Sequence, residues 1–202
     1  SGVQDICVVN EDGSNMKALT ANQNPHSHDS QPHWSPNGEH IVFASKRATD
    51  HWQIFIMTAS GDNQQRLTES HFNHPDFSPR ISPDGKKIVF VRAGLPKAIH
   101  LMDIDGSNQI SLCEGGSPSW APDSNGILFV RKGKIYFHNL LDDSEKEIGE
   151  GDYPSYAYNG QKILFCKGGL DKEQIWLMES SGLNASPIVE RDGSITPVWS
   201  SR

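Results

Sequence analysis

The chain alternates short apolar runs with polar, turn-forming clusters. Four runs share one signature: Ile41-Val-Phe43, Ile88-Val-Phe90, Ile127-Leu-Phe129 and Ile163-Leu-Phe165. Each starts seven residues after an anchor, respectively Trp34, Ile81, Trp120 and Tyr156, and a fifth anchor stands at Trp199. Every anchor has a proline two residues earlier: Pro32, Pro79, Pro118, Pro154 and Pro197. A second apolar run follows each time, at Gln53–Met57, Ala98–Met102, Lys134–Phe137 and Gln174–Met178. It ends at a tight turn (Ser60-Gly61, Asp105-Gly106, Asp142-Asp143, Ser181-Gly182), and a short last strand completes the unit. Short β-rich runs joined by Asn-Gly, Asp-Gly or Ser-Gly turns predict a four-stranded antiparallel meander.

The anchors lie 47, 39, 36 and 43 residues apart, around the 40–45-residue period of propeller blades. A sheet of this kind cannot bury both faces alone, whereas radial stacking of copies buries them. A β-sandwich also gives frequent turns, but it does not place five prolines in register. The expected fold is all-β: a β-propeller of four-stranded antiparallel blades, with four complete blades and incomplete terminal pieces. The chain reads as a single propeller domain over 1–202. Its repeats span about 3–20 (partial), 30–69, 77–113, 116–149, 152–190 and 195–202 (partial). The pieces either close a five-blade ring or belong to a six-bladed ring cut from a longer chain, the second being the preferred expectation. Open strand edges favour pairing with another copy.

Trp34-Ser-Pro-Asn-Gly38 with Ile41–Ser45, Gln53–Met57, Gly61-Asp-Asn63 and Arg66-Leu-Thr68 resembles the WD40-like PD40 repeat of the TolB family. The likeness covers nearly the whole chain. It departs at Ile81, at Asp142-Asp143 and at Tyr158, where the repeat has an aromatic, Asp-Gly and proline. The resemblance implies a non-catalytic interaction module of the cell envelope, periplasmic or extracytoplasmic, with a lipoprotein as partner.

Composition narrows the partners. The 202 residues carry 18 Lys+Arg and 25 Asp+Glu, a net charge of −7. That balance disfavours nucleic acid, whose phosphates require a surplus of cations. No apolar run reaches the roughly 18 residues that a membrane-spanning helix needs, so no membrane insertion is expected. Cys7, Cys113 and Cys166 adjoin apolar runs without a CxxC pair and read as small buried hydrophobes. No nucleophile elbow, P-loop, HExxH or GxGxxG occurs, and no cofactor is expected.

Candidate chemistry gathers on one face, where loops join the fourth strand of a blade to the first of the next and the second strand to the third. The turns on the opposite face read as structural hairpins. The candidate ligand-binding residues are His26, His28, Asp29, His71, His74, Asp76, Arg92, Arg131 and Lys167. Asp29 and Asp76 both stand five before their anchors; Arg92, Arg131 and Lys167 each stand eleven after theirs, with Lys46 and Arg47 slightly later in their own blade. A ring of cations and imidazoles suits an anionic ligand, such as a carboxylate-bearing peptide. The bland alternative is that Arg92 and Arg131 pair with the aspartate of a neighbouring blade and the histidines are solvated.

No specific metal motif is present and no metal is expected, although His26, His28, His71 and His74 are the residues that would offer nitrogen ligands. A second resemblance bears on this. His74–Pro79 and Ile163–Gly169 with Gln174–Leu177 are loosely similar to oligogalacturonate lyases, propellers with a histidine-bound metal. The competing function is accordingly a metal-assisted lyase or hydrolase acting on acidic saccharides, with Arg92 or Arg131 gripping carboxylates.

Overall fold

The structure is a computed structural model that describes residues 4–21, 28–69, 73–168 and 174–190. All regular structure among them is β. The chain divides into two compact units, Ser1–Cys113 and Glu114–Arg202.

In the first unit, β1 (Cys7–Val8) and β2 (Lys17–Ala18) form a two-stranded sheet. Then come β3 (Asp29–Trp34), β4 (His40–Ser45), β5 (Gln53–Thr58) and β6 (Gln65–Arg66) in one four-stranded sheet. A second holds β7 (Asp76–Ile81), β8 (Lys87–Arg92), β9 (Ala98–Asp103) and β10 (Ile110–Glu114). The second unit repeats the plan twice. Its sheets are β11 (Gly116–Trp120), β12 (Gly126–Arg131), β13 (Lys134–Asn139) and β14 (Glu145–Glu150), then β15 (Asp152–Tyr156), β16 (Lys162–Lys167), β17 (Gln174–Glu179) and β18 (Ser186–Glu190). Each four-stranded sheet is a consecutive meander, as the repeat predicts. The two-stranded sheet is the incomplete first piece; the final piece at 195–202 lies outside the described residues.

The second strands explain why their sequence is continuous rather than alternating. Val42, Phe43, Val89, Phe90, Leu128 and Phe129 are all buried, so both faces of each strand are covered. Ile41 and Phe43 pack with Ile6, Leu19, Phe55 and Met57. Val42 and Ala44 point the other way, into a core with Ile81, Ile88, Phe90 and Met102 of the next sheet. The second unit builds the same layer from Leu128, Ile135, Ile163, Phe165 and Met178. Full burial of each such side chain stabilises by about 1.5–3 kcal/mol.

The in-register prolines have a local cause. Each first strand slips register against the second, between Ser30 and His33, Phe77 and Arg80, Gly116 and Ser119, and Asp152 and Ser155. The residue before the proline is left-handed in every case: Gln31 (φ 56), Ser78 (φ 51), Ser117 (φ 51) and Tyr153 (φ 50). The proline sits within a bulge, where its missing N–H breaks no ladder. The bulge also links neighbouring sheets, since the Ser78 amide donates to Gln31 Oε1 at 2.8 Å.

A second repeated joint uses the turn between third and fourth strands. Gln64 Nε2 donates to the Leu19 carbonyl at 3.0 Å and to Gly61 O at 2.7 Å. Gln109 Nε2 does the same to Leu67 O and Gly106 O, both at 3.0 Å. Each glutamine ties its turn to the preceding sheet. Ala185 stands at this position in the last sheet. The cysteines depart from expectation: Cys166 is buried, but Cys113 is half-buried and Cys7 exposed, because β1 lies in the short two-stranded sheet.

Candidate ligand-binding face

His26 and His71 lie outside the described residues. His28 is half-buried just ahead of β3, and its carbonyl accepts from the Lys46 amide at 3.0 Å. His74 is exposed, with its ring against Gly94, where an added Cβ would come within 3.0 Å of Cδ2. Neither His28 nor His74 joins a group of three or more metal-ligating side chains among the described residues.

The two aspartates occupy equivalent places, opening β3 and β7, and both side chains are buried. Asp76 faces Arg92 across the β7–β8 ladder and receives it bidentately, Nε to Oδ1 at 2.7 Å and Nη2 to Oδ2 at 3.0 Å. Arg47 Nη2 reaches Asp29 Oδ2 at 2.6 Å. These pairs form within one sheet, not with a neighbouring blade, because the aspartate and the end of the second strand are cross-strand partners. In the second unit, Arg131 meets Glu145 at 2.7 Å and Lys167 meets Glu150 at 3.5 Å. Glu145 holds the Arg131 pKa above its usual value.

Each cation also sits on an aromatic pair of its own sheet. The cross-strand pairs are Phe43–Phe55 (5.8 Å), Phe90–His100 (5.4 Å), Phe129–Tyr136 (5.5 Å) and Phe165–Trp176 (6.3 Å). Arg47 lies 4.9 Å from the Phe43 ring, Arg92 5.5 Å from Phe90, Arg131 4.3 Å from Tyr136 and Lys167 5.6 Å from Trp176. The basic residues thus cap a repeated aromatic ladder, with attraction from the ring faces and from an acid. Burial first, and then Arg92, lower the His100 pKa, opposed by Asp76.

Features that the spacing argument passed over lie close by. Lys46 stands 5.1 Å from the Trp52 ring, and Trp52 tilts against Phe77 at 6.4 Å. Leu95 is fully exposed (103%) in the loop between β8 and β9, beside the exposed Lys97. Its signal in the sequence was Gly94-Leu-Pro96, an apolar residue between two loop formers.

His33 on β3 is a half-buried imidazole. Its Nδ1 accepts the Ile81 amide at 3.3 Å. Burial, then the Arg80 charge, push its pKa down to about 4. Above about pH 6.5 neither folded nor unfolded chain protonates this ring. Between about 6.5 and 4 only the unfolded chain does, so stability falls as pH falls through this window. The full displacement is worth about 3 kcal/mol, and partial solvent screening brings the expected loss to about 2 kcal/mol. His33→Asn, which keeps an acceptor, should remove that portion of the slope in urea unfolding followed from pH 7 to 4.

Consecutive four-stranded meanders that share cores face to face, joined by bulges and turn glutamines, define a β-propeller. The family model of the TolB beta propeller domain, PD40, matches residues 1–141. The chain belongs to this TolB-like PD40 propeller family. An uncharacterized protein of Agrobacterium fabrum, Atu1656, is 35% identical over 116 residues, which cover 50% of this chain and 39% of that protein. The matched stretch spans about two fifths of that relative's length. TolB of Acinetobacter baumannii has a similar structure, with a TM-score of 0.75 at 18% identity over 93% of this chain and 49% of that one. An oligogalacturonate lyase in complex with manganese also has the fold, with a TM-score of 0.66 at 14% identity over 94% of this chain and 60% of that one.

Proposed function

We propose that this chain is a non-catalytic, TolB-like interaction module that takes a protein or peptide on the loop face, in the cell envelope. The observation that carries this reading is the division of labour on that face. Arg47, Arg92, Arg131 and Lys167 are engaged by acids and rings, while Leu95 projects fully exposed beside Lys97. A lyase on acidic saccharides would require Arg92 or Arg131 to grip substrate carboxylates. Asp76 and Glu145 already hold them. A partner that buries an apolar contact inside a polar rim fits better. A lipoprotein partner is the family's suggestion.

The test is capture from a periplasmic extract by the immobilised chain, read by mass spectrometry. A lipoprotein enriched by the wild type and lost with Leu95→Asp supports the reading. Equal capture by both, or by neither, contradicts it.

A further inference from the structure

The opposite face carries a cleft of about 420 Å³ in the second unit, between the sheets β11–β14 and β15–β18. Phe137 and Ile148 line it, with Pro122 and Tyr156 also in its wall. A sequence departure accounts for the aromatic in its wall. β12 opens on Gly126, where the other second strands open on His40, Lys87 and Lys162. A Cβ at Gly126 would run into the Phe137 ring. The missing side chain therefore makes room for an aromatic where the other third strands carry Ile56, Leu101 and Leu177. Gly160 brings the adjoining turn up to Pro122, with its Cβ position 3.5 Å from Cγ.

The polar groups of the cleft differ from end to end. Asp123 lies just after β11 and Lys146 on β14, so three strand spacings, about 14 Å, separate them across the sheet. Lys146 makes no ion pair, and the Tyr156 hydroxyl no hydrogen bond, among the described residues. Burial, then the Asp123 charge, push the Tyr156 pKa up to about 12. The phenol is thus a protonated donor at neutral pH, with no acceptor among the described residues. An extended chain advances about 3.3–3.6 Å per residue, so about four residues span the distance.

We propose that this cleft binds an extended peptide segment of about four residues, with a basic residue at Asp123, an apolar centre over Phe137 and Ile148, and an acidic residue at Lys146. The Tyr156 hydroxyl donates to a carbonyl of the peptide backbone. This site is independent of the loop face and stands whether or not that face binds a partner.

Two fluorescently labelled, end-blocked peptides test it against the whole chain: Lys-Leu-Phe-Glu and its charge-free counterpart, Gln-Leu-Phe-Gln. Two exposed ion pairs should favour the charged peptide by about fivefold. Lys146→Glu, at an exposed position, should abolish that preference. Tyr156→Phe should weaken binding of the charged peptide by about threefold with an unchanged circular dichroism spectrum. Amide shifts in the labelled protein should map to Ala121, Asp123 and residues 146–148 and 156–160. Equal affinity for the two peptides overturns the proposal, as does the absence of shifts at millimolar peptide. A neutral trisaccharide that shifts the same amides when neither peptide does overturns it too.

Discussion

Arg92→Met should lower the unfolding free energy by about 3 kcal/mol. The methionine keeps most of the aliphatic stem but removes both hydrogen bonds to Asp76, whose side chain is wholly buried. Breaking one side of a buried pair leaves an uncompensated charge, which costs about 3–5 kcal/mol when both partners are enclosed. Arg92 is itself about a quarter exposed (26%), so the lower end applies. The contact with the Phe90 ring is lost as well. Arg92→Lys should recover only part of the loss, because an ammonium cannot reproduce the two-pronged contact. Urea denaturation of the three proteins reads the effect directly. An unchanged midpoint in Arg92→Met would mean that this arginine is free for a ligand after all.

Gly182→Ala should be at least as damaging, by about 3 kcal/mol or more. Gly182 has φ +92, and a Cβ there would strike the backbone carbonyl of Ile148 in the adjoining sheet. Left-handed backbone costs an alanine about 1–2 kcal/mol, and relieving a clash with backbone costs about 1–3 kcal/mol more. The equivalent positions face the same obstacle: Gly61 would place a Cβ 2.9 Å from Leu19 O, and Gly106 3.1 Å from Leu67 O. Gly13 supplies the control. It occupies the matching turn with φ +81, but nothing lies within 4 Å. Gly13→Ala should therefore cost only the conformational share, about 1–2 kcal/mol. Thermal unfolding of the two variants separates turn strain from the contact between sheets.

Those glycines show how far the sequence could be read. Periodicity and turn chemistry located every four-stranded sheet, because a meander closed by short turns is a local event. The reason for Gly61 and Gly182 was not local. The Ser-Gly pairs read as hairpin formers, whereas the neighbouring sheet's carbonyl also demands the missing side chain. The prolines were visible as a register mark, but not as the sign of a left-handed bulge. Trp34, the first anchor, is 45% exposed, whereas Ile81 at the same position is buried. Anchor positions thus record the repeat rather than the core.

The candidate site was legible in its positions and not in its bonds. Asp29 and Asp76 occupy the equivalent places that counting gave them. Counting could not show that their partners stand across the same ladder, or that each cation rests on an aromatic pair. The third-strand residues Phe55, His100, Tyr136 and Trp176 carried that signal, each directly opposite the phenylalanine of the second strand. The cleft wall at Phe137 was not legible because the place of its ring depends on an absence, the side chain missing at Gly126.

The central claim is that the cations of the loop face are engaged by the protein's own acids and rings and leave partner contact to the exposed loop. A double-mutant cycle on Asp76→Asn and Arg92→Met, followed by urea unfolding, tests it most directly. The account predicts a coupling energy of about 2 kcal/mol or more, with partner capture retained in every variant that folds. Coupling near zero, together with a stable Arg92→Met protein that no longer captures its partner, would contradict it.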